Sequence, residues 1–549
     1  MGESDASPAA GARLSPWAPL RHRIFLALFI AQMASNIGSL MQNVGSAWLM
    51  GDLHGSALLV ALVQTAAFLP VFIFGIPAGA LADVVDRRRL LLVTQALMMV
   101  AALVLAILSF AKAVTPLWLL TLTFTLGIGG ALNAPAWQAI QPDLVPAREF
   151  SQSLALGALT YNVGRAVGPA LGGFVLAAAG PPWVFAINAV SFLGTAVVLG
   201  VWRQSRPESH LPAETLAGAT RAALRYVMNA PLLRDVLIRV ALLMVPAAAL
   251  QALLPIVVRQ SLGLGSGSYG LLLGCFGGGA ATAAVLRPRL EERASPHTLI
   301  VTSTLVLAGG LLVDGYVTQP VAVGLGLFVA GLGWTTAFTT TNVAAQSTLA
   351  AWVRARGMGL YMLVITGGIA IGSTAWGLLA EWSLPGAHAV AAGCLLAGLV
   401  IGRRHPLDEI TSVDVTPVLS NDPVVTLSPL HDDGPVLVTV AYRVPPGDIA
   451  GFVEAMAHVE RHRRRTGAYR WGLFRDLSDP AGFVESFVVD SWGEHLRQHQ
   501  RVTVTSDARM DLVRPYLDPS RPPTHHISAY SPGVATAGEP AAVVLGEEV

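Results

Sequence analysis

The chain has 549 residues, 53% of them hydrophobic and only 13% charged, with a net charge of +1. Soluble domains carry about 25% charged residues, so this balance excludes an ordinary soluble protein and points to the membrane. Near-neutrality gives no basis for a nucleic-acid partner, and two cysteines, Cys275 and Cys394, both in apolar segments, exclude a disulfide framework or a CxxC metal site.

The polar segment 1–23 precedes an apolar run far longer than the ~7–15-residue core of a secretory signal, so that run reads as a retained first span. At about 20 apolar residues per crossing, spans fall near 24–50, 56–82, 90–111, 115–141, 151–180, 183–202, 236–258, 267–286, 298–316, 320–346, 353–380 and 385–402, twelve in all. Arginine sorts the ends. Arg21, Arg23, Arg87, Arg88, Arg89, Arg148, Arg203, Arg287, Arg289, Arg354 and Arg403 all fall on one side, whereas Lys112 and Arg259 fall on the other and Arg165 lies inside span 5. Basic loops stay cytoplasmic, which places both termini there, and Trp118, Trp183 and Trp382 sit near span ends as interfacial anchors do.

The polar stretch 204–232 separates an N-terminal half, 24–203, from a C-terminal half, 233–404. The halves echo each other at an offset of about 205: Gln141 answers to Gln346, Arg148 to Arg354, and Gly164 and Gly168 to Gly368 and Gly372. Two six-helix bundles in parallel repeat form a transporter architecture with its substrate site at the midplane between them.

Past Arg404 the character changes. Residues 405–434, rich in Pro, Asp and Ser, read as a linker. Within 435–530, VLVTVAYRV alternates like a strand, Ile449, Phe452, Val453, Met456 and Val459 follow at helical spacing, and YRWGLFRDL and FVESFVVDSW read as strands. A helix near 504–516 and the strand HHISAY complete a βαββαβ, ferredoxin-like unit. The end, 531–549, is expected to be disordered. The expected fold is therefore an all-α membrane protein of twelve transmembrane helices in two six-helix pseudo-repeats, followed by a cytoplasmic α+β domain.

Two motifs carry a family resemblance. GALADVVDRRR (79–89), between spans 2 and 3, resembles the loop signature of the major facilitator superfamily at Gly79, Asp83, Arg88 and Arg89, with Val84 where a basic residue is usual and Asp86 where glycine is usual. VGRAVGPALGG (163–173) resembles the G-x-x-x-G-P-x-x-G-G signature of exporters and antiporters at Gly164, Gly168, Pro169, Gly172 and Gly173. The membrane part, with NAPAWQAIQPDLVP and FAINAVSFL, resembles the enterobactin-exporter branch, the transmembrane secretion effectors. RRRTGAYRWGLFRD and SWGEHLRQHQRVT resemble the cytoplasmic extension of some members. The resemblance implies export of a small organic molecule (a siderophore, secondary metabolite or drug) across the bacterial inner membrane by proton-coupled alternating access, with no cofactor.

Physically, Gly164, Gly168 and Gly172 form one helix stripe that lets two backbones approach closely. Pro169 cannot donate to the carbonyl of Arg165, so this face must lie against protein or a cavity. The stripe suits either a pivot for one half rocking against the other or plain packing. Arg165, about 20° around the helix from Gly172, is placed to bind an anionic part of the substrate or to bond freed carbonyls. Asp83, Asp143, Asp235, Asp314 and Glu381 sit at or near span ends, so no buried proton carrier is evident; Asp83 suits a gate with Arg88 or a helix N-terminus. Gln42, Asn133, Gln138 and Asn342, with Arg165, are expected to line a cavity for a bulky, partly polar molecule, the alternative being interhelical hydrogen bonds worth ~0.6 kcal/mol each.

In the tail, His495 and His499 share a helix face, but without a third ligand they read as part of a solvated helix rather than a metal site. Arg461, Arg463, Arg464 and Arg465 suit a helix C-terminus or lipid headgroups. The tail resembles dimeric α/β-barrel monooxygenases. That implies a homodimer through this domain and supplies the rival function, a membrane-anchored monooxygenase-like enzyme, for which twelve spans are excessive.

Overall fold

The computed structural model describes residues 15–53, 56–202, 228–350, 353–404, 430, 433–501, 511–518 and 520–529. Inter-half loop 204–232, linker 405–434 and the end 531–549 lie largely or wholly outside these. Among the described residues, twelve long helices follow in chain order: α1 (Arg23–Asp52), α2 (Ala57–Val84), α3 (Arg87–Phe110), α4 (Pro116–Leu144), α5 (Phe150–Ala179), α6 (Pro181–Val201), α7 (Pro231–Ile256), α8 (Ser266–Arg293), α9 (Pro296–Tyr316), α10 (Pro320–Ser347), α11 (Arg354–Ala380) and α12 (Leu384–Gly402). Their starts are written locally. Ser56, Asp86, Thr115, Ser295 and Ser383 each accept a backbone N–H of the first turn, which satisfies donors that lipid cannot. Among the described residues eleven helices are long and apolar enough to cross a membrane. The twelfth, α5, is a 30-residue helix that holds the apolar stretch Val163–Ala179.

The two bundles repeat a contact. Gly164 and Gly168 of α5 face Asn36 and Leu40 of α1, and Gly368 and Gly372 of α11 face Met244 and Val245 of α7. The sequence echo is thus a geometric one.

The tail forms β1 (Val436–Arg443), α13 (Ile449–Thr466), β2 (Arg470–Arg475), β3 (Gly482–Val489), α14 (Trp492–Gln500), a 3-10 turn (Asp511–Tyr516) and β4 (Thr524–Ala529). The sheet runs β2-β3-β1-β4, antiparallel throughout, with Val438 opposite Phe487 on one side and Ile527 on the other. This is the ferredoxin-like order. Val436, Val438, Phe487, Val489 and Ile527 pack with Trp492 of α14, and Phe483 with Phe452, Met456 and Val459 of α13. The expected helix near 504–516 is corrected. Residues 502–510 lie outside the description, 511–516 form only the 3-10 turn, and the second helix starts earlier, at Trp492. Ser491 caps it by accepting from Glu494 N, while the Glu494 carboxylate accepts from Arg497 and Arg501.

Candidate functional site

The membrane halves meet along two seams of small residues. On α5 and α8 the partners are Ala170 with Gly274, Gly173 with Gly270, and Ala177 with Gly267, an antiparallel crossing in which a Cβ on Gly173 would stand 2.4 Å from the Cα of Gly270. The second seam joins α2 and α11. A Cβ on Gly377 would stand 2.6 Å from that of Ala61, the Thr65 hydroxyl lies 3.0 Å from the Ala370 carbonyl and 2.9 Å from Thr374 Oγ1, and Glu381 accepts from Leu58 N at 2.7 Å. Small residues permit such backbone approach where lipid offers no hydrophobic drive. The exporter-type stripe Gly164, Gly168 and Gly172 packs within its own half, on Asn36, Leu40 and Met41 of α1, and it is neighbouring Gly173 that crosses to the other half.

A clasp closes the end away from the arginine-rich loops. Arg259, on the π-helical turn Val257–Ser261, donates to Asp52 at 2.6 Å and lies over the Trp48 ring at 4.5 Å; Trp48 stacks on Tyr269 of α8 at 5.9 Å. Gln64 of α2 donates to Gln251 of α7 at 3.2 Å.

Of the residues expected to form a gating loop, Gly79 and Asp83 lie in α2 and Arg88 and Arg89 in α3. Arg88 donates to the Leu199 and Gly200 carbonyls at the end of α6, at 2.8 and 2.5 Å, and so caps that helix. Asp86, the departure from the family pattern, is the N-cap of α3 and accepts from Arg89 N at 2.9 Å. A Cβ on Gly79 would meet open space. Asp83 lies in the last turn of α2, its side chain outside the description. Of the cavity candidates, Gln42 is buried and accepts from Asn188 at 2.5 Å, Asn133 accepts from Thr94 and Gln95 at 3.2 Å each, and Asn342 accepts from Gln346 at 2.6 Å. Gln138 is exposed and Arg165 half-buried.

Sequence reasoning missed two features. Asp314, expected near a span end, lies in the last turn of α9 wholly buried against His388 of α12, with Nε2 3.2 Å from Oδ2; His388 Nδ1–H donates to the Leu384 carbonyl at 2.8 Å. A single histidine four residues into a span was the available signal. The second is a narrow cleft between the arginine-loop ends of α1, α4 and α5, walled by Phe25, Phe29 and Trp137 beside Gln32 and Gln141.

The sequence profile of the transmembrane secretion effectors matches residues 14–531. The chain belongs to that family. It is similar to the enterobactin exporter EntS of Salmonella choleraesuis, 26% identical over 404 residues, covering 73% of this chain and 96% of the relative. It is also similar to the staphyloferrin A transporter of Staphylococcus aureus, 27% identical over 157 residues, covering 28% of this chain and 40% of the relative. Among solved structures, a bacterial homologue of the lysosomal transporter Spinster aligns with a TM-score of 0.55 at 14% identity, over 73% of this chain and 97% of that one. A bacterial homologue of ferroportin aligns with a TM-score of 0.54 at 17% identity, over 70% and 98%. These likenesses carry the fold, that of the major facilitator superfamily. The secretion-effector chain is thus a multi-pass membrane transporter of small molecules and not an enzyme.

The transporter's tail corrects two further expectations. His495 is not on a solvated face: it is 2% exposed, its ring 4.9 Å from that of His499. Burial first, then His499 and Arg463, push its pKa down to about 3. Arg463 is not at a lipid surface. It donates to Glu485 at 3.1 Å, and the same wholly buried carboxylate accepts from Tyr442 at 2.8 Å and Trp471 at 2.9 Å. Burial and then the Glu485 charge hold the Tyr442 hydroxyl well above its usual range. Among the described residues, no three His, Cys, Asp or Glu side chains gather as metal ligands.

Proposed function

We propose that the chain exports a small organic molecule of the siderophore or secondary-metabolite kind from the bacterial cytoplasm, by alternating access coupled to proton entry, with both termini cytoplasmic. The supporting observation is the pairing of α5 with α8 and α2 with α11 at the helix ends away from the arginine-rich loops. Two symmetric seams of small residues can part and re-form as the halves rock. The names of the relatives, one an enterobactin exporter and one a staphyloferrin A transporter, support the substrate class. Gln42, Asn133, Gln138, Arg165 and Asn342 are proposed as lining residues, with Gly79, Asp83, Arg88 and Arg89 forming the cytoplasmic gate. The tail is proposed to pair with a second copy through its sheet.

The test is uptake into inside-out vesicles of a panel of catecholate and carboxylate siderophores and cationic dyes, with and without a proton gradient. Gradient-dependent accumulation of at least one compound, lost in Arg165→Gln at equal expression, is the expected result. Uptake indifferent to the gradient removes the coupling, and accumulation only in right-side-out vesicles reverses the direction.

A further inference from the structure

We infer that Phe72 of α2 is the barrier residue of the transport path: its ring, seated on the bare backbone of Gly367 of α11, closes the chamber toward the far side of the membrane and must leave that glycine before substrate can pass. The inference rests on the alternating-access reading and names the side chain that separates its two openings. Both residues lie at mid-depth. Phe72 is the sixteenth of the 28 residues of α2 and Gly367 the fourteenth of the 27 of α11. The ring belongs to a continuous face of α2. Ala61, Thr65 and Gly79 lie within about 20° of Phe72 around the helix, and Gly75 within about 60°. On the side away from the arginine-rich loops this face meets α11, through Ala61 on Gly377 and through Thr65 on Ala370 and Thr374. On the other side a Cβ on Gly75 or Gly79 would meet nothing within 4 Å. One face of α2 is therefore packed on the other half up to Phe72 and bare beyond it, so a molecule coming from the arginine-loop side reaches the ring unobstructed.

The ring differs in kind from the rest of the seam. A Cβ on Gly377 would meet the Leu58 Cα at 3.1 Å and the Ala57 carbonyl at 3.4 Å, which are main chain. A Cβ on Gly367 would meet the Phe72 ring, at 2.5 Å from Cδ2, 2.7 Å from Cε2 and 3.3 Å from Cγ. Main chain cannot step aside, whereas a side chain with two torsions can, so Phe72 is the part of this seam able to move without unpacking a helix. A helical phenylalanine leans toward the preceding turn, which carries the ring over the Thr65 end of the seam. Behind it lie hydroxyl contacts, Thr65 to Thr374 at 2.9 Å and to the Ala370 carbonyl at 3.0 Å. Water competes for such bonds, and an apolar constriction on their chamber side keeps water from them. The α5–α8 seam is built without the ring. It runs in register with the first: the steps from Gly270 to Gly274 and from Gly173 to Ala170 repeat those from Ala61 to Thr65 and from Gly377 to Thr374. Seven residues past Gly274, where Phe72 stands seven past Thr65, α8 carries the exposed Ala281. The barrier is therefore a feature of one seam and not of the repeat.

The test uses the purified full-length chain in lipid nanodiscs, carrying Cys275→Ser and Cys394→Ser, and reads how fast a water-soluble maleimide labels a cysteine placed at Thr374, behind the ring. Phe72→Ala should speed that labelling by about tenfold, and Phe72→Tyr, which keeps a ring, should stay within about twofold of the parent. Gly367→Ala, which displaces the ring, should also speed it, and should add nothing to Phe72→Ala, because the glycine acts through the ring alone. A cysteine placed at Ala170, the matching position of the α5–α8 seam, should label at the same rate in every variant. In vesicles Phe72→Ala should cost about nine-tenths of gradient-driven accumulation at equal expression. An unchanged rate in Phe72→Ala, additive effects of the two substitutions, an equal rise at Ala170, or full accumulation in Phe72→Ala would overturn the barrier. The labelling needs neither substrate nor gradient, so the two readings fail separately: shielding of the Thr374 cysteine by Phe72 without transport of any compound upholds the seal and removes export, and transport in a chain whose shielding ignores Phe72 removes the barrier alone.

Discussion

Gly173 of α5 and Gly270 of α8 meet backbone to backbone, so close that a methyl group on either would stand 2.4 Å from the other's Cα. No side chain can move aside to admit that methyl, because what it meets is main chain. The contact joins the two halves, so a substitution there acts on the equilibrium between closed and parted seams as well as on folding. Gly173→Ala and Gly270→Ala are each expected to abolish at least nine-tenths of transport while the protein still reaches the membrane. Cysteines placed at Ala177 and Gly267 should then crosslink more slowly than in the parent. Gly168→Ala is the contrast. Its Cβ would stand 2.8 Å from Leu40 Cβ inside one half, so it should lower thermal stability and yield without changing that crosslinking rate.

The Asp52–Arg259 clasp makes a smaller and graded prediction. Both side chains are partly exposed, 45% and 32%, so the ion pair contributes at most about 1 kcal/mol, with a comparable cation–π contribution from Trp48. Asp52→Asn is expected to shift the population toward the state open at that end by about fivefold at low salt and less at high salt. Arg259→Leu, which removes both contacts, should shift it further. Labelling of a cysteine at Tyr269 by a membrane-impermeant maleimide reads both. Exchange of the two charges, Asp52→Arg with Arg259→Asp, should restore part of the effect; no restoration would mean that the ring contact alone closes the clasp.

The span pattern was legible because bilayer thickness imposes a length, a rule that acts locally. The repeat was legible for a related reason: Gly164 and Gly168 recur as Gly368 and Gly372 because each pair must admit a neighbouring backbone, α1 in one half and α7 in the other. The cross-half partner was not legible. Gly270 sits in a stretch, SGSYGLLLGCFGGG, where glycine is too frequent for any one to stand out, and only the crossing of two helices selects it. The amides fared likewise, since whether Gln42 faces a cavity or Asn188 depends on a residue 146 positions away. In the tail, the Ser491-x-x-Glu494 pattern was available and would have placed α14. The burial of Arg463 and His495 follows from packing against the sheet, which helical spacing alone does not reveal.

Arg88, proposed for the cytoplasmic gate, ties two helices together. Its guanidinium donates through Nε and Nη2 to two successive carbonyls at the end of α6, tying α3 to α6 through a planar fork. Hydrogen bonds from a charged donor contribute about 1.5–3 kcal/mol. Arg88→Gln is expected to lower the midpoint of thermal unfolding in detergent and to raise amide exchange over the last turn of α6. Arg88→Lys should recover less than half of the loss, because a single ammonium cannot reproduce the fork. Full recovery by lysine would show that charge near the helix end, and not bidentate geometry, supplies the stabilisation.

The tail should carry its own pH dependence. His462 and His495 are buried, and burial first, with Arg465 and Arg463 near His462 and His499 and Arg463 near His495, holds both pKa values below the ordinary 6.5, His495 at about 3. Below about 6.5 the unfolded chain therefore binds protons at both positions that the folded domain refuses, at His495 down to about 3. Stability rises with pH across that window and is lost as pH falls through it, at up to about 1.4 kcal/mol per pH unit for each histidine. Hydrogen exchange of the β1 and β3 amides, corrected for intrinsic rate, should show protection falling steeply from pH 6.5 downward. His495→Gln, which removes one titrating group and leaves a ring-sized polar side chain, should flatten the slope by about half even where it lowers the absolute protection. A slope unchanged by that substitution would remove His495 from the acid sensitivity of the tail.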